Sequence, residues 1–329
     1  MKLKALLIIG VALTTLFTSC NNDEVELIGN WEQKSWYDGY ARAEGTSFAI
    51  NNFGYFGMGL DDDGYLKDFW KYDPSSNSWT PAETFPGTAR AYNVSVSNGK
   101  KGYVGLGYDG TNDLADFWEY DPAANSWKQI ADFPGGPRRY ATAFAIGNDI
   151  YVGTGTTDND KQYNNDFYKY DGSNWSQVKS LPGNKRRKAN STGFNGKGYV
   201  ISGSRSSTIL NDMWEYDPAS DNWTEKTKID NEETGSTVIP RQNAVLFGSD
   251  GRLFITTGNQ GTTTTTTTYE WDPSTDEWTE RTSFEGSTRE GAGCFVINDK
   301  GYIVGGRSGA SYKDDTYMFE PNAERDSTD

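Results

Sequence analysis

The chain has 329 residues, with 31 basic against 46 acidic side chains, a net charge of −15, no histidine and two cysteines. So acidic a composition excludes nucleic acid as a partner, because phosphate binding rests on an excess of clustered lysine and arginine. The absence of histidine excludes Ser-His-Asp and Cys-His nucleophile systems and every histidine-ligated metal site, and neither a metal nor any other cofactor is expected.

In chain order the first element is "MKLKALLIIGVALTTLFTSC", two lysines followed by an uncharged apolar run and then small residues. This reads as a secretory signal and not a membrane span. Its end, Phe17-Thr18-Ser19-Cys20, resembles the lipobox of bacterial lipoproteins. The resemblance implies that residues 1–19 are removed and that the Cys20 thiol is acylated, a lipid anchor worth ~0.8 kcal/mol for each buried methylene. The polar "NNDEVE" that follows resembles the tether by which members of the Bacteroidota mark lipoproteins for the cell surface, so residues 20–27 read as a tether. An outer-membrane lipoprotein follows, with its body exposed at the surface or, alternatively, facing the periplasm. Without residues 1–19 the chain keeps 29 basic and 46 acidic groups, a net charge of −17. Once Cys20 is acylated only Cys294 remains, so no intrachain disulfide can form. Cys294 lies in the apolar "GAGCFVI" and reads as a buried small hydrophobe.

Repeats occupy the rest. A phrase built as Y-V-x-x-G ends in Gly59, Gly107, Gly155, Gly203, Gly258 and Gly306, at steps of 48, 48, 48, 55 and 48. Each glycine is followed by a large aromatic (Tyr72, Tyr120, Tyr170, Tyr216, Trp271, Phe319) and, in five units, by a tryptophan (Trp79, Trp127, Trp175, Trp223, Trp278). An arginine comes next at Arg90, Arg138, Arg186, Arg241 and Arg289. Each unit reads as four short strands, which in the first fall near "SFAI", "YFGMG", "DFWKYD" and "SWTP". Sheets of this size at this period bury their faces by packing as wedges about an axis. The sixth unit lacks its tryptophan, but Trp31 stands eleven residues before Arg42, the step found elsewhere. The N-terminal strand is therefore expected to complete the sixth blade and close the ring, removing free sheet edges. Arg42, Arg90, Arg138, Arg186 and Arg289 are expected to pair with Asp68, Asp116, Asp166, Asp212 and Asp315, one structural ion pair per blade. Thr267 replaces the acid in the fifth unit, which would free Arg241 for another task.

The spacing of Tyr72 to Trp79, Tyr120 to Trp127 and Tyr216 to Trp223, with a glycine doublet at Gly305-Gly306, resembles the kelch family. The resemblance implies an all-β, six-bladed kelch-type β-propeller over residues 28–320, followed by a tail at 321–329. The other five units keep only the second glycine of the doublet. In such propellers the loops entering the first strand and joining the second to the third usually carry the binding pocket.

Function is sought where the repeats differ. Two residues beyond each recurrent arginine stand Glu44, Tyr92, Tyr140, Lys188, Asn243 and Gly291, and just after the glycines stand Asp61, Asp109, Arg205, Asn259 and Arg307. Aromatic, amide, acidic and basic groups around one mouth suit a polar ligand such as a sugar, and the candidate ligand-binding residues are Glu44, Tyr92, Tyr140, Lys188, Arg205, Asn243, Asn259 and Arg307. The alternative is that these are solvated loop residues. "NKRRKAN" (184–190) is the strong basic cluster on the same face, and "TTTTTTT" (262–268) reads as an extended exposed strand. The acid-rich turns "LDDDGY" and "DNDKQYNND" match no calcium loop. The expected function is non-catalytic binding of a glycan or a protein by a monomeric envelope propeller. The alternative is an enzyme. Among kelch-like enzymes, the copper chemistry of galactose oxidase needs histidine ligands that this chain lacks, whereas a mutarotase acting on an acidic sugar such as sialic acid needs only an acid-base pair and a carboxylate anchor. No catalytic residue is assignable from sequence.

Overall fold

The computed structural model describes residues 28–157, 161–228 and 240–326. The signal, Cys20, the tether, residues 158–160 of one acid-rich turn, the long loop at 229–239 and residues 327–329 lie outside them. Each repeat forms a four-stranded antiparallel sheet in simple up-and-down order. In the first blade the strands are Thr46–Ile50, Phe53–Gly57, Phe69–Asp73 and Ser78–Pro81. The second strand ends before Met58 and Gly59 because both take positive φ and turn the chain out of the ladder. First strands of neighbouring blades lie side by side around the axis. The sixth sheet contains Gly293–Ile297, Lys300–Val304 and Thr316–Glu320, with Asn30–Lys34 as its outer strand. Trp31 lies opposite Phe319 in that pairing. The molecule is a closed six-bladed β-propeller.

The recurrent phrase Tyr-Asp-Pro-x-x-Asn-x-Trp does three jobs. Asp73 and its equivalents Asp121, Asp171, Asp217 and Asp272 accept a backbone N–H two residues on, forming the tight turn between the third and fourth strands. The Tyr72, Tyr120 and Tyr216 hydroxyls donate to Asn77, Asn125 and Asp221, five residues later. Those same side chains accept from the preceding blade, as Asn77 does from Ser35 N and Asn125 from Glu83 N. The tryptophans complete the latch: Trp127, Trp175 and Trp223 donate their indole N–H to Glu83, Ala131 and Lys179 carbonyls of the blade before. Between blades the core divides into six aromatic-rich clusters, one per interface.

The arginines supply the polar counterpart. Arg42, Arg90, Arg138, Arg186, Arg241 and Arg289 are fully buried. Five grip a carboxylate, as Arg90 does Asp116 at 2.6 and 2.7 Å and Arg186 does Asp212 at 2.6 and 2.5 Å, with Arg42–Asp68, Arg138–Asp166 and Arg289–Asp315 alike. Arg241 was expected to be released by Thr267, yet it keeps the same seat. It donates to the Thr257 carbonyl (3.2 Å) and to the Thr267 carbonyl and hydroxyl (both 2.8 Å). The polythreonine stretch also departs from expectation. Only Thr268 enters a strand, and residues 264–267 are half-buried loop, because the Thr265 and Thr267 hydroxyls bond one another and serve Arg241.

The doublet position explains why one glycine suffices. Its first residue, Met58, Leu106, Thr154, Ser202, Thr257 or Gly305, has φ of 52 to 65°, which side-chain-bearing residues can enter. The second has φ of 85 to 97°, and its N–H donates to the arginine carbonyl of the next blade, as Gly107 N does to Arg138 O at 2.8 Å. A Cβ on Gly107 would lie 2.7 Å from the Ala91 carbonyl oxygen. Gly107→Ala is therefore expected to cost at least about 2 kcal/mol in urea unfolding, from combined backbone strain and clash. A midpoint equal to that of the wild type would refute this reading.

Candidate functional site

The residue two beyond each arginine opens the innermost strand in the left-handed conformation: φ is 58° at Glu44, 60° at Tyr92, 53° at Tyr140, 54° at Lys188, 54° at Asn243 and 65° at Gly291. This geometry turns each N–H toward the neighbouring blade. Glu44 N donates to Gly291 O (2.8 Å), Tyr92 to Glu44 (3.3 Å), Tyr140 to Tyr92 (2.9 Å), Lys188 to Tyr140 (3.1 Å), Asn243 to Lys188 (3.1 Å) and Gly291 to Asn243 (3.1 Å). The six bonds form a closed ring about the axis and bring six unlike side chains together.

Those side chains pack on one another. Gly291 leaves room for its neighbours on either side, so Asn243 Nδ2 reaches Glu44 Oε1 at 2.5 Å, and a Cβ on Gly291 would lie 2.8 Å from the Glu44 carboxyl carbon. Across the ring Tyr92 and Tyr140 pack with centroids 4.4 Å apart, and Lys188 Nζ lies 4.6 Å from the Tyr140 centroid. Glu44 is only 8% exposed. Burial pushes its carboxyl above the usual carboxylate range, against the opposing pull of Lys188, the Asn243 hydrogen bond and Arg307. Burial, then the Glu44 charge, pushes the Tyr92 hydroxyl up to about 12.

A second tier surrounds the ring, formed by the residue after each arginine and the residue after each doublet, which pair through main-chain bridges. Arg307 sits here. Its Nη2 lies 3.3 Å from Glu290 Oε1; burial works against its charge, but Glu44 and Glu290 raise its pKa overall. Arg307 Nε, Gln242 Oε1 and Gln260 Nε2 are buried without a hydrogen-bond partner among the described residues. On the other side Arg139 bonds Asp113 at 2.6 Å and lies over the Tyr108 ring at 3.8 Å, while Arg187 lies over Tyr140 at 5.7 Å. The mouth thus carries Arg139, Arg187 and Lys188 on blades three and four, and Glu44 and Glu290 with Arg307 between them on blades one and six.

Of the residues selected from sequence, Glu44, Tyr92, Tyr140, Lys188 and Asn243 meet at the axis and Arg307 stands beside them. Arg205 is exposed on a short hairpin, Ser204–Arg205 with Thr208–Ile209. Asn259 is half-buried and spends its Oδ1 on the Gly261 N–H in a local turn. The basic cluster does not act as one patch, since Arg186 is consumed by its ion pair and only Arg187 and Lys188 join the mouth. Sequence reading missed Arg139, Gln242 and Glu290, and named Arg187 only within the basic cluster. The signal was present one position earlier, where the series Ala43, Ala91, Arg139, Arg187, Gln242, Glu290 varies as sharply as the next.

Below the ring the axis holds a cavity of about 360 Å³ lined by innermost-strand residues including Ser47, Ser95, Ala143, Ser191 and Cys294. The hydroxyls there stitch blades together: Ser47 N donates to Ser95 Oγ and Cys294 N to Ser47 Oγ. Cys294 is half-buried, and desolvation pushes its thiol up to about 12, which leaves it un-ionised at neutral pH. Among the described residues no group of acidic or cysteine side chains is placed to hold a metal ion.

Residues 132–288, which take in blades three to five, match the family model described as the KLHDC2/KLHL20/DRC7 kelch-repeats domain. Among curated proteins none matches the sequence. A solved structure, "Structure of YjhT", is similar with a TM-score of 0.71 and 17% identity, covering 86% of this chain and 96% of that one, a likeness of fold.

Proposed function

We propose that this six-bladed kelch-type propeller is a binding protein whose mouth takes a polar ligand bearing a carboxylate, such as the acidic sugar of a glycan. The observation that carries the reading is the axial ring, which brings Glu44, Tyr92, Tyr140, Lys188 and Asn243 to one mouth with Arg307 beside them. Such a set offers donors and acceptors together, which suits a ligand rich in hydroxyls and carboxylate oxygens. Lys188 adds a charge-assisted contact, and Tyr92 and Tyr140 offer ring faces to the apolar side of a sugar. In this reading the protein is displayed at the envelope by lipid on Cys20.

A second reading, mutarotation of that sugar, is favoured by Glu44. A buried carboxyl whose pKa is raised holds its proton more readily than a free one and can hand it on and take it back, as ring opening and reclosure require. One titration series serves both. An acidic sugar should bind better than its neutral analogue in calorimetry, and Lys188→Met or Arg307→Met should weaken it about ten-fold or more, the effect of losing ~1.5 to 3 kcal/mol of charged hydrogen bonding. Equal affinity for the two sugars, unchanged in both variants, would overturn the binding reading. If anomer exchange followed by NMR is accelerated by the wild type and lost in Glu44→Gln with binding intact, the enzyme reading holds; no acceleration overturns it.

A further inference from the structure

We infer that the ligand is extended, a glycan of at least two or three sugar residues that runs outward from the axial mouth over Tyr65 into a cleft walled by Tyr40; this rests on the carboxylate-binding reading of the mouth. The cleft, of about 730 Å³, lies between Asp38, Gly39 and Tyr40 on one side and Tyr65, Leu66, Lys67, Asp68 and Trp70 on the other.

The repeats themselves point to it. The loop before five of the six buried arginines places an apolar side chain five residues ahead of it, Tyr37, Phe85, Phe133, Leu181 and Phe284, all buried, whereas the longer loop before Arg241 has Ser236 there. One residue before that side chain the sister loops carry Thr84, Asp132, Ser180 and Ser283, where this loop has Trp36. Two residues before the arginine they carry Thr88, Gly136, Asn184 and Ser287, where this loop has Tyr40. Trp36 is 59% and Tyr40 70% exposed. The fold asks only for the backbone at the second position: Arg42 Nε bonds the Tyr40 carbonyl at 2.9 Å as Arg90 and Arg186 bond Thr88 and Asn184 at 3.0 Å. Exposed rings where these four sister loops place polar side chains or a glycine are not explained by packing.

The cleft joins the mouth. Tyr65 lines it and also meets Tyr108 edge to face at 6.1 Å, and Tyr108 lies under the Arg139 guanidinium. Tyr65 also feels the charges of Arg139 and Asp109. A path of rings, Tyr40, Tyr65 and Tyr108, therefore leads from the rim to the cationic side of the mouth. Asp68 is committed to Arg42, but Asp38 and Lys67 remain along the walls as hydrogen-bonding groups. The Tyr40, Tyr65 and Trp70 rings interleaved with an acid and a base match chained sugars, which alternate apolar faces with hydroxyl edges.

The test is calorimetry on the mature chain with free sialic acid and with a linear sialic acid trimer. The trimer is expected to bind at least ten-fold tighter. Tyr40→Thr, which installs the residue of the sister loop at Thr88 and so preserves the fold, should remove that gain and leave the monomer unaffected; Lys188→Met should weaken both sugars. Equal affinities for trimer and monomer, or a gain that survives Tyr40→Thr, would overturn the cleft. Indifference to Lys188→Met together with sensitivity to Tyr40→Thr would overturn the axial reading and keep the cleft. No binding of either sugar would overturn both.

Discussion

Trp31→Ala is expected to destabilise the protein by about 3 to 5 kcal/mol, the range for deleting a large aromatic from a packed core. Trp31 is 1% exposed, its ring lies 4.9 Å from Phe284 and 4.6 Å from Phe319, and its indole N–H donates to the Thr282 carbonyl at 3.1 Å. Its sister Trp127 makes the same latch but is only half-buried, so Trp127→Ala should cost less. Position in the chain widens the gap. Trp31 joins residues 251 apart in sequence, and loosening it frees the Thr316–Glu320 strand as an unpaired edge prone to aggregation. Denaturant unfolding of the two variants, with light scattering, measures both effects. A loss below about 1 kcal/mol at Trp31 would mean that closure contributes little.

Asp212→Ala should be of similar size, about 3 to 5 kcal/mol, because it strands the fully buried Arg186 without its counter-charge. Arg186 would keep the Ser202 and Asn184 carbonyls, which stabilise its hydrogens but do not neutralise it. Replacing both partners by apolar residues, Arg186→Met with Asp212→Leu, should recover much of the loss; a double variant no better than the single one would place the energy in shape rather than charge. The ion pairs also set a pH dependence. Burial raises the carboxyls of Asp68, Asp116 and Asp212, but hydrogen bonds from the paired arginine, its charge and an indole N–H outweigh it and hold them below the ordinary carboxylate range. A depressed folded-state value stabilises fully above the unfolded value of about 4 and is lost as pH falls through the folded one. Acid unfolding should therefore begin below about pH 4, and less steeply in Asp212→Asn. A midpoint near neutrality would refute the assignment.

The architecture was legible because it is written six times. Glycine, Tyr-Trp spacing and Arg-Asp spacing recur whatever the loops do, and Trp31 could be placed by its distance from Arg42 alone. The mouth resisted for a geometrical reason. Glu44 and Asn243 are 199 residues apart and touch only because Gly291 between them lacks a side chain and all three stand in left-handed backbone. Arg205 and Arg307 looked alike in sequence, yet one stands two residues after its glycine and the other one, and that single step separates a hairpin tip from the bridge flanking the axis. Arg241 kept its seat because carbonyl and hydroxyl oxygens can hold a guanidinium where the carboxylate is missing.

The direction of the closing strand decides how the protein faces its surroundings. Asn30 pairs with Glu320 and Lys34 with Thr316, so the chain enters blade six at the end of its strands remote from the loops that build the mouth. Gly29 N is fastened there to the Ala323 carbonyl at 2.9 Å. Anything that holds the protein by its N-terminal segment therefore grips it from behind and turns the axial ring away from the point of attachment. The proposed lipid anchor and the proposed ligand would lie at opposite ends of the same axis, leaving the open face clear for a large ligand.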